Sequence, residues 1–438
     1  MSLTENLALL TDDHPGIGGV IKERPEDFIV EEQPLYEPAG EGEHLYLYIE
    51  KRKLTTADAV RRIAKAFRVG RRDVGYAGLK DKHALTRQLV SVYLPGRTAE
   101  QENEYLERVD MPPRLRVVWH DRHANKLRRG HHAGNRFIIR VRRVKPTDVI
   151  HANAILQQLE QRGAPNYLGQ QRFGYRDNAH LIGAALLQQR YQDLLDTLLG
   201  KPLPIENENL QAARRAYDQG DYDTALEHCP RSLRHDRQAL EALRQGKTAE
   251  QTVQTIDMTQ RQLYISALQG AAFNAVLDSR IRENRFDRLV PGDLAWKHDN
   301  GSVFAVDKQT ADTENAPGGR IHSHLVSPSG PMWGPRMIKP EGDILNRELL
   351  ALEQLGVGER DLEAAGKHDV GGGRRALRVF AQELQIESGA DEHGPYIETS
   401  FTLPRGAFAT MILREVMKND VPDASLERLR PDPDKPQG

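Results

Sequence analysis

Hydrophobic periodicity changes twice along this chain of 438 residues, and that change limits the possible folds more than any other feature. Toward both ends apolar residues recur at every second position, the period of a half-buried strand; in the middle they recur at helical spacing. Residues 44–49 alternate Leu45, Leu47 and Ile49 with Tyr46 and Tyr48, and 88–94, 114–119 and 135–144 read as further strands. Thr55 and Thr56 offer an N-cap ahead of Val60, Ile63, Ala64 and Phe67, which predicts a helix over 57–68. Another helix is predicted over 148–162, capped by Thr147 and stopped by Gly163 and Pro165. The Ala-, Leu- and Gln-rich stretches 177–199, 208–228, 231–245 and 258–284 then read as a mainly helical insertion. Short strands are expected at 303–306 and 321–326, and a helix at 343–355 ahead of three flexible glycines, 371–373. The end reverts to strands (375–380 and 396–403) and one helix (407–418). The tail after Asp420 is rich in proline and charge, and is expected to be disordered. Sheet, helices, then sheet again is the order expected when one domain interrupts another.

The formal net charge of −2 conceals an uneven distribution. Residues 51–90 carry 12 Lys/Arg against 3 Asp/Glu, and 111–145 carry 11 against 1, whereas 341–438 carry 12 against 19. Two such one-sided basic stretches point to a polyanion partner, nucleic acid above all, over merely solvated charge. In the strand 135–144, Phe137, Ile139 and Val141 share one face and Arg136, Arg140 and Arg142 the other, an arrangement suited to packing below and phosphate contact above. No apolar run approaches the length of a membrane span, and the acidic start MSLTENLALLTDDHPG is unlike a secretory signal. The single cysteine, Cys229, excludes an intramolecular disulfide and a cysteine zinc site. A cytoplasmic, monomeric protein is the expectation.

Cofactor signatures fail one after another. Gly246, Lys247 and Thr248 match the end of a P-loop, but Glu241 occupies the place of its first glycine, so no phosphate nest forms. No strand leads into GxGxxG, and the 16 histidines include no metal-binding spacing, so neither a nucleotide cofactor nor a metal is expected. The segment that carries chemistry is GYAGLKDKHA, residues 75–84. Its glycines allow close backbone approach to a ligand. Asp81 is set between Lys80 and Lys82, whose charges would keep it ionised as a nucleophile or base. An exposed turn whose carboxylate merely offsets its lysines is the plain alternative, and composition alone leaves it open.

The segments IKERPEDFIVEE (21–32), GYAGLKDKHALTRQ (75–88), GNRFIIRV (134–141), NYLGQQRFG (166–174) and LPRGAFATMILRE (403–415) together resemble the TruD family of tRNA pseudouridine synthases. Five segments in the right order are far more specific than any one of them. The resemblance implies an α+β fold: a pseudouridine-synthase core with a mixed, largely antiparallel sheet formed by both chain ends (1–162 and 371–420), interrupted by a TruD-specific α/β domain (163–370), with 421–438 a disordered tail. It implies that Asp81 is the catalytic aspartate, that Lys22 lies close to it, that Phe28, Asn135 and Phe408 contact the target base, and that Phe137 is a further substrate-binding aromatic of the catalytic pocket. Arg172, in the segment where the inserted domain begins, becomes a phosphate contact, as do Lys126, Arg128, Arg129 and Arg140. The implied reaction is isomerisation of uridine to pseudouridine in tRNA, at uridine 13, without a cofactor. Against these stand two other readings: a non-catalytic RNA-binding or chaperone protein with the same basic cleft, and another uridine-modifying enzyme, a methyltransferase or thiolase. The last would need a nucleotide-type cofactor site or a reactive cysteine, and Cys229, beside Pro230, is a poor nucleophile.

Overall fold

A computed structural model describes residues 6–109 and 111–419. The chain divides into two compact units. One comprises residues 11–109, 111–164 and 379–419, the other 6–10 and 165–378; the expected tail, 421–438, lies outside the described residues. The boundaries are a correction to the expected 162/163 and 370/371. Gly373–Ala376 is a strand of the inserted unit, pairing Ser329 with Ala376 and Met332 with Gly373, so residues 371–378 belong there. The start of the chain joins the same unit: the Ala8 N–H donates to Asp278 and the Tyr167 hydroxyl donates to the Ala8 carbonyl.

The first unit is built on an eight-stranded mixed sheet. Its elements in chain order are β1 (Phe28–Pro34), β2 (His44–Arg52), helix α1 (Thr56–Ala66), β3 (Val74–Tyr76), β4 (Leu85–Tyr93), helix α2 (Ala99–Val109), β5 (Leu115–His123), β6 (His132–Arg142) and helix α3 (Val149–Arg162). The last two strands, Gln382–Asp391 and Gly394–Pro404, and the helix Ala409–Met417 complete it. Only β1 and β4 run parallel, with Ile29 opposite Leu85; the other pairings are antiparallel. The mixed, largely antiparallel sheet drawn from both chain ends is therefore present. Helix α1 forms where the apolar spacing predicts it. Thr55 caps it by accepting from the Asp58 N–H, and Ile63, Ala64 and Phe67 bury against Leu47, Ile49 and Val90. The predicted cap of α3 moves by one residue, to Asp148, whose side chain makes no capping bond.

The inserted unit is mainly helical, as the periodicity predicts, around a core that includes Leu194, Leu195, Leu240, Val253, Leu268 and Trp333. It also carries a four-stranded sheet ordered Gly373–Ala376, Val326–Met332, Leu294–Lys297 and Val303–Ala305. The strand expected at 321–326 is displaced: 321–324 form a turn and pairing begins at Val326. Among the described residues no helix is long and apolar enough to cross a membrane.

Candidate active site

Strand register brings the sequence motifs together. β1 lies between β4 and β6, so Glu32 is opposite Asn135 and Val30 is opposite Phe137. The segment 77–84 leads into β4 without regular structure, yet it is pinned at each step. The Gly130 N–H donates to the Ala77 carbonyl, Gln88 Nε2 to the Gly78 carbonyl, and the Lys80 N–H to Thr56 Oγ1. Lys51 Nζ donates to the carbonyls of Asp81 (3.0 Å), Leu54 (2.8 Å) and Lys80 (3.5 Å). Gly75 is required upstream of this loop, because a Cβ there would stand 2.2 Å from the Leu127 carbonyl oxygen.

Two charged groups hold the loop's functional side chains. Lys22 Nζ lies 2.5 Å from Asp81 Oδ2, and the His83 N–H donates to Asp81 Oδ1 at 2.9 Å. The Asp81 side chain remains 24% exposed while that of Lys22 is 4% exposed, so the carboxylate is the reachable member of the pair. Burial opposes ionisation of Asp81, but the Lys22 charge and hydrogen bond, helped by His83, outweigh it and hold the carboxyl below its usual value. The second group is Lys80, whose Nζ lies 2.5 Å from Asn135 Oδ1 and 2.7 Å from Glu32 Oε2. Glu32 is buried, and desolvation raises its pKa although Lys80 pulls the other way. The Lys51 ammonium is fully buried; desolvation lowers it to about 8. His132 is lowered to about 4, first by burial and then by Lys80 and Arg405, so the imidazole is neutral at pH 7.

The aromatic candidates divide. Phe28 lies under Lys22, with the ammonium 4.6 Å from the ring centroid, and meets Phe137 edge-on at 6.3 Å. At 4% and 8% exposure both are packed as core residues. Phe408 is half-buried at the start of the helix Ala409–Met417, four residues beyond Pro404, which pairs with Gly134 beside Asn135. It is the ring of the three with most surface to offer a base.

The basic candidates divide as well. Arg128 and Arg129 are exposed, Arg129 donating to the Tyr76 hydroxyl. Lys126 donates to the Arg72 carbonyl and, with Tyr36, His123, Asn125, Arg128 and His131, lines a recess of about 470 Å³. The arginine face expected on β6 is a correction. Arg140 pairs with Glu398 at 2.6 Å, and Arg142 is buried against Asp27 and Asp391, both at 2.7 Å. Carboxylates from β1's approach and from the last two strands neutralise that face; Arg136 alone of the three has no ion pair among the described residues. Arg172 belongs to the inserted unit, in the short turn Gln170–Arg172, where burial lowers its pKa. Cys229 is buried, which pushes its thiol up to about 11 and removes it as a nucleophile. Among the described residues no three His, Cys, Asp or Glu side chains cluster as metal ligands.

Sequence reasoning passed over Lys51, Glu32 and Gln88 and read Thr56 only as a helix cap. Lys51 was legible only as one of many basic residues, since nothing local shows that its strand buries it beneath the Asp81 loop.

Comparison with known proteins identifies the family. The family model for tRNA pseudouridine synthase D (TruD) matches residues 5–416. A tRNA pseudouridine synthase D from Geotalea daltonii is 43% identical, covering 94% of this chain and 99% of the relative. One from Geobacter metallireducens is 43% identical over 94% of this chain and 98% of its own. A crystal structure from Methanosarcina mazei, described as a tRNA pseudouridine synthase D, superposes with a TM-score of 0.79 at 25% identity, covering 96% of this chain and 98% of the other.

Proposed function

Because the chain belongs to the TruD family of tRNA pseudouridine synthases and so isomerises uridine to pseudouridine, we propose that Asp81 is its catalytic carboxylate and uridine 13 of tRNA its target. One observation carries the assignment of Asp81: an ionised carboxylate, paired at 2.5 Å with a buried lysine, is the partly exposed member of an otherwise buried charge cluster. A group held charged without being hidden is equipped to meet a substrate.

The reaction breaks the N1–C1′ bond, turns the uracil and rejoins it through C5, leaving oxidation state and composition unchanged. The uridine first leaves its stack, at a cost of a few kcal/mol. Phe408 offers a ring to replace the lost stacking, worth about 1–3 kcal/mol. Asn135 takes the base edge, and Asp81 acts at C1′, at C6 or on a ribose proton. Lys22 keeps Asp81 charged and aimed through the sequence. Arg128, Arg129 and Lys126 grip phosphates, which gives affinity without reading sequence.

The test is incubation of an unmodified tRNA transcript with wild-type and Asp81→Asn protein, followed by carbodiimide mapping of pseudouridine. Modification at position 13 by the wild type alone is expected. Turnover by Asp81→Asn would remove the aspartate from the mechanism, and a stop at another position would reassign the target.

A further inference from the structure

Lys80 decides which end of the Asn135 amide faces the substrate. An ammonium carries three donors and no acceptor. The Asn135 atom 2.5 Å from Lys80 Nζ must therefore be the carbonyl oxygen. Lys80 is itself fixed, with its side chain 5% exposed and its charge met by Glu32 at 2.7 Å. Glu32 is fixed in turn, 1% exposed and accepting from the Leu89 N–H at 3.2 Å. Register supports the same arrangement, since Glu32 and Asn135 are direct partners across β1 and β6. The amide thus has its NH2 end free, no described residue accepting from it, and one lone pair of Oδ1 still open.

We infer that Lys80, anchored by Glu32, locks the Asn135 amide in the one orientation that matches uracil and mismatches cytosine, making Lys80 the positioning residue for base selectivity. This rests on the reading above in which Asn135 meets the flipped base. Uracil presents a carbonyl acceptor beside the N3–H donor on either side of N3, and an amide offering N–H next to C=O pairs with that edge. Cytosine presents N3 as an acceptor, so Oδ1 faces a lone pair there; at C4 its amino group also faces the Asn135 NH2. A freely rotating amide would turn over and accept cytosine equally well. The turned amide, however, would point its NH2 at the Lys80 ammonium inside a buried site. Selectivity then comes from a repulsive element that acts only against the wrong base.

The test is equilibrium binding of full-length protein, carrying Asp81→Asn to prevent turnover, to three forms of one tRNA. They hold uridine, cytidine or an abasic ribose at the mapped position. With Lys80 intact, uridine tRNA is expected to bind about tenfold more tightly than cytidine tRNA, in the range of one well-placed amide–base pair. In Lys80→Met with Glu32→Gln, which removes both buried charges together, the two affinities should converge to within about twofold while abasic tRNA binds as before. Lys80→Arg should restore the preference. A uridine-to-cytidine ratio that survives the double change overturns the inference, as does the lack of any preference with Lys80 intact. Equal weakening toward all three tRNAs also overturns it, because Lys80 would then only support the loop. Each of these is distinct from failure of the catalytic reading, which shows as pseudouridine formed by the Asp81→Asn protein.

Discussion

Lys22 and Asp81 are separated by 59 positions in sequence and by 2.5 Å in space, and Lys22 adopts a left-handed φ of 59°. That conformation costs a residue with a side chain on the order of 1–3 kcal/mol, and it persists where the surroundings over-determine it. Here the isolated bridge between Val20 and Arg142 and the turn Pro25–Asp27 hold the chain on either side. The contorted backbone delivers an ammonium to the carboxylate.

Lys22→Met removes the charge that outweighs burial at Asp81, so burial then dominates and the carboxyl should rise. A group whose pKa is depressed by folding contributes its stability above the ordinary value, 3.8 here, and loses it as pH falls through the folded value. The acid limb of kcat/KM should therefore move toward neutrality in Lys22→Met. An unmoved limb would falsify the role of Lys22.

The Lys51 ammonium predicts an alkaline limb. Its value of about 8 in the fold lies below the ordinary 10.5. Between these values the unfolded chain holds the extra proton, so this group's contribution to stability rises with pH. Activity should move the other way. A neutral amine has one donor fewer for the carbonyls of Leu54, Lys80 and Asp81 and releases the loop. The kcat/KM profile should fall with an apparent pKa near 8 while thermal stability does not drop over the same window. Lys51→Met should be slower at every pH and lack that limb.

Arg142 tests the buried face of β6. Its guanidinium is 2% exposed and meets Asp27, which is fully buried. Arg142→Leu leaves that carboxylate uncompensated and should cost about 3–5 kcal/mol in urea unfolding. Adding Asp27→Asn should recover part of the loss. Equal stability of the single variant and wild type would mean that the pair contributes nothing.

Salt dependence should separate the arginines that face no carboxylate from those that do. Each phosphate contact removed lowers the slope of log K against log salt by about 1. Arg128→Ala and Arg129→Ala should each do so in tRNA binding. Arg140→Ala should leave the slope unchanged, because Glu398 and Asp391 already face that guanidinium. A flat salt response of the wild type would reject phosphate gripping altogether.

What the sequence revealed follows from where burial is one-sided. β2 and α1 each hide one face, so Leu45, Leu47 and Ile49, or Val60, Ile63 and Phe67, announce them. Gln382–Asp391 carries Leu384 and Ile386 as its large apolar residues and fully buries neither, so the alternation is too short to mark it. Helix α2 buries just Tyr105 and Val109 and is likewise silent. Val326–Met332 holds Pro328 and Pro331, which argue against a strand; each proline lies in a half of the strand that pairs with a single neighbour. At the site, Asp81, Lys22 and Asn135 were legible through their motifs. The neutralisation of Arg140 and Arg142 was not, because Asp27, Asp391 and Glu398 reach them only through tertiary pairing.

The strand beside Asn135 comes from the far side of the inserted unit in sequence. Gly394–Pro404 pairs with β6 along its length, and Ile17 and Gly18 donate to the carbonyls of Val416 and Met417. A polypeptide that stops within residues 165–378 already holds Lys22, Lys80, Asp81 and Asn135, yet β6 is left as an open edge of its sheet. Closure of the sheet beside Asn135 is thus tied to synthesis of residues 379–404, and a product that stops short of them is prone to edge-to-edge association.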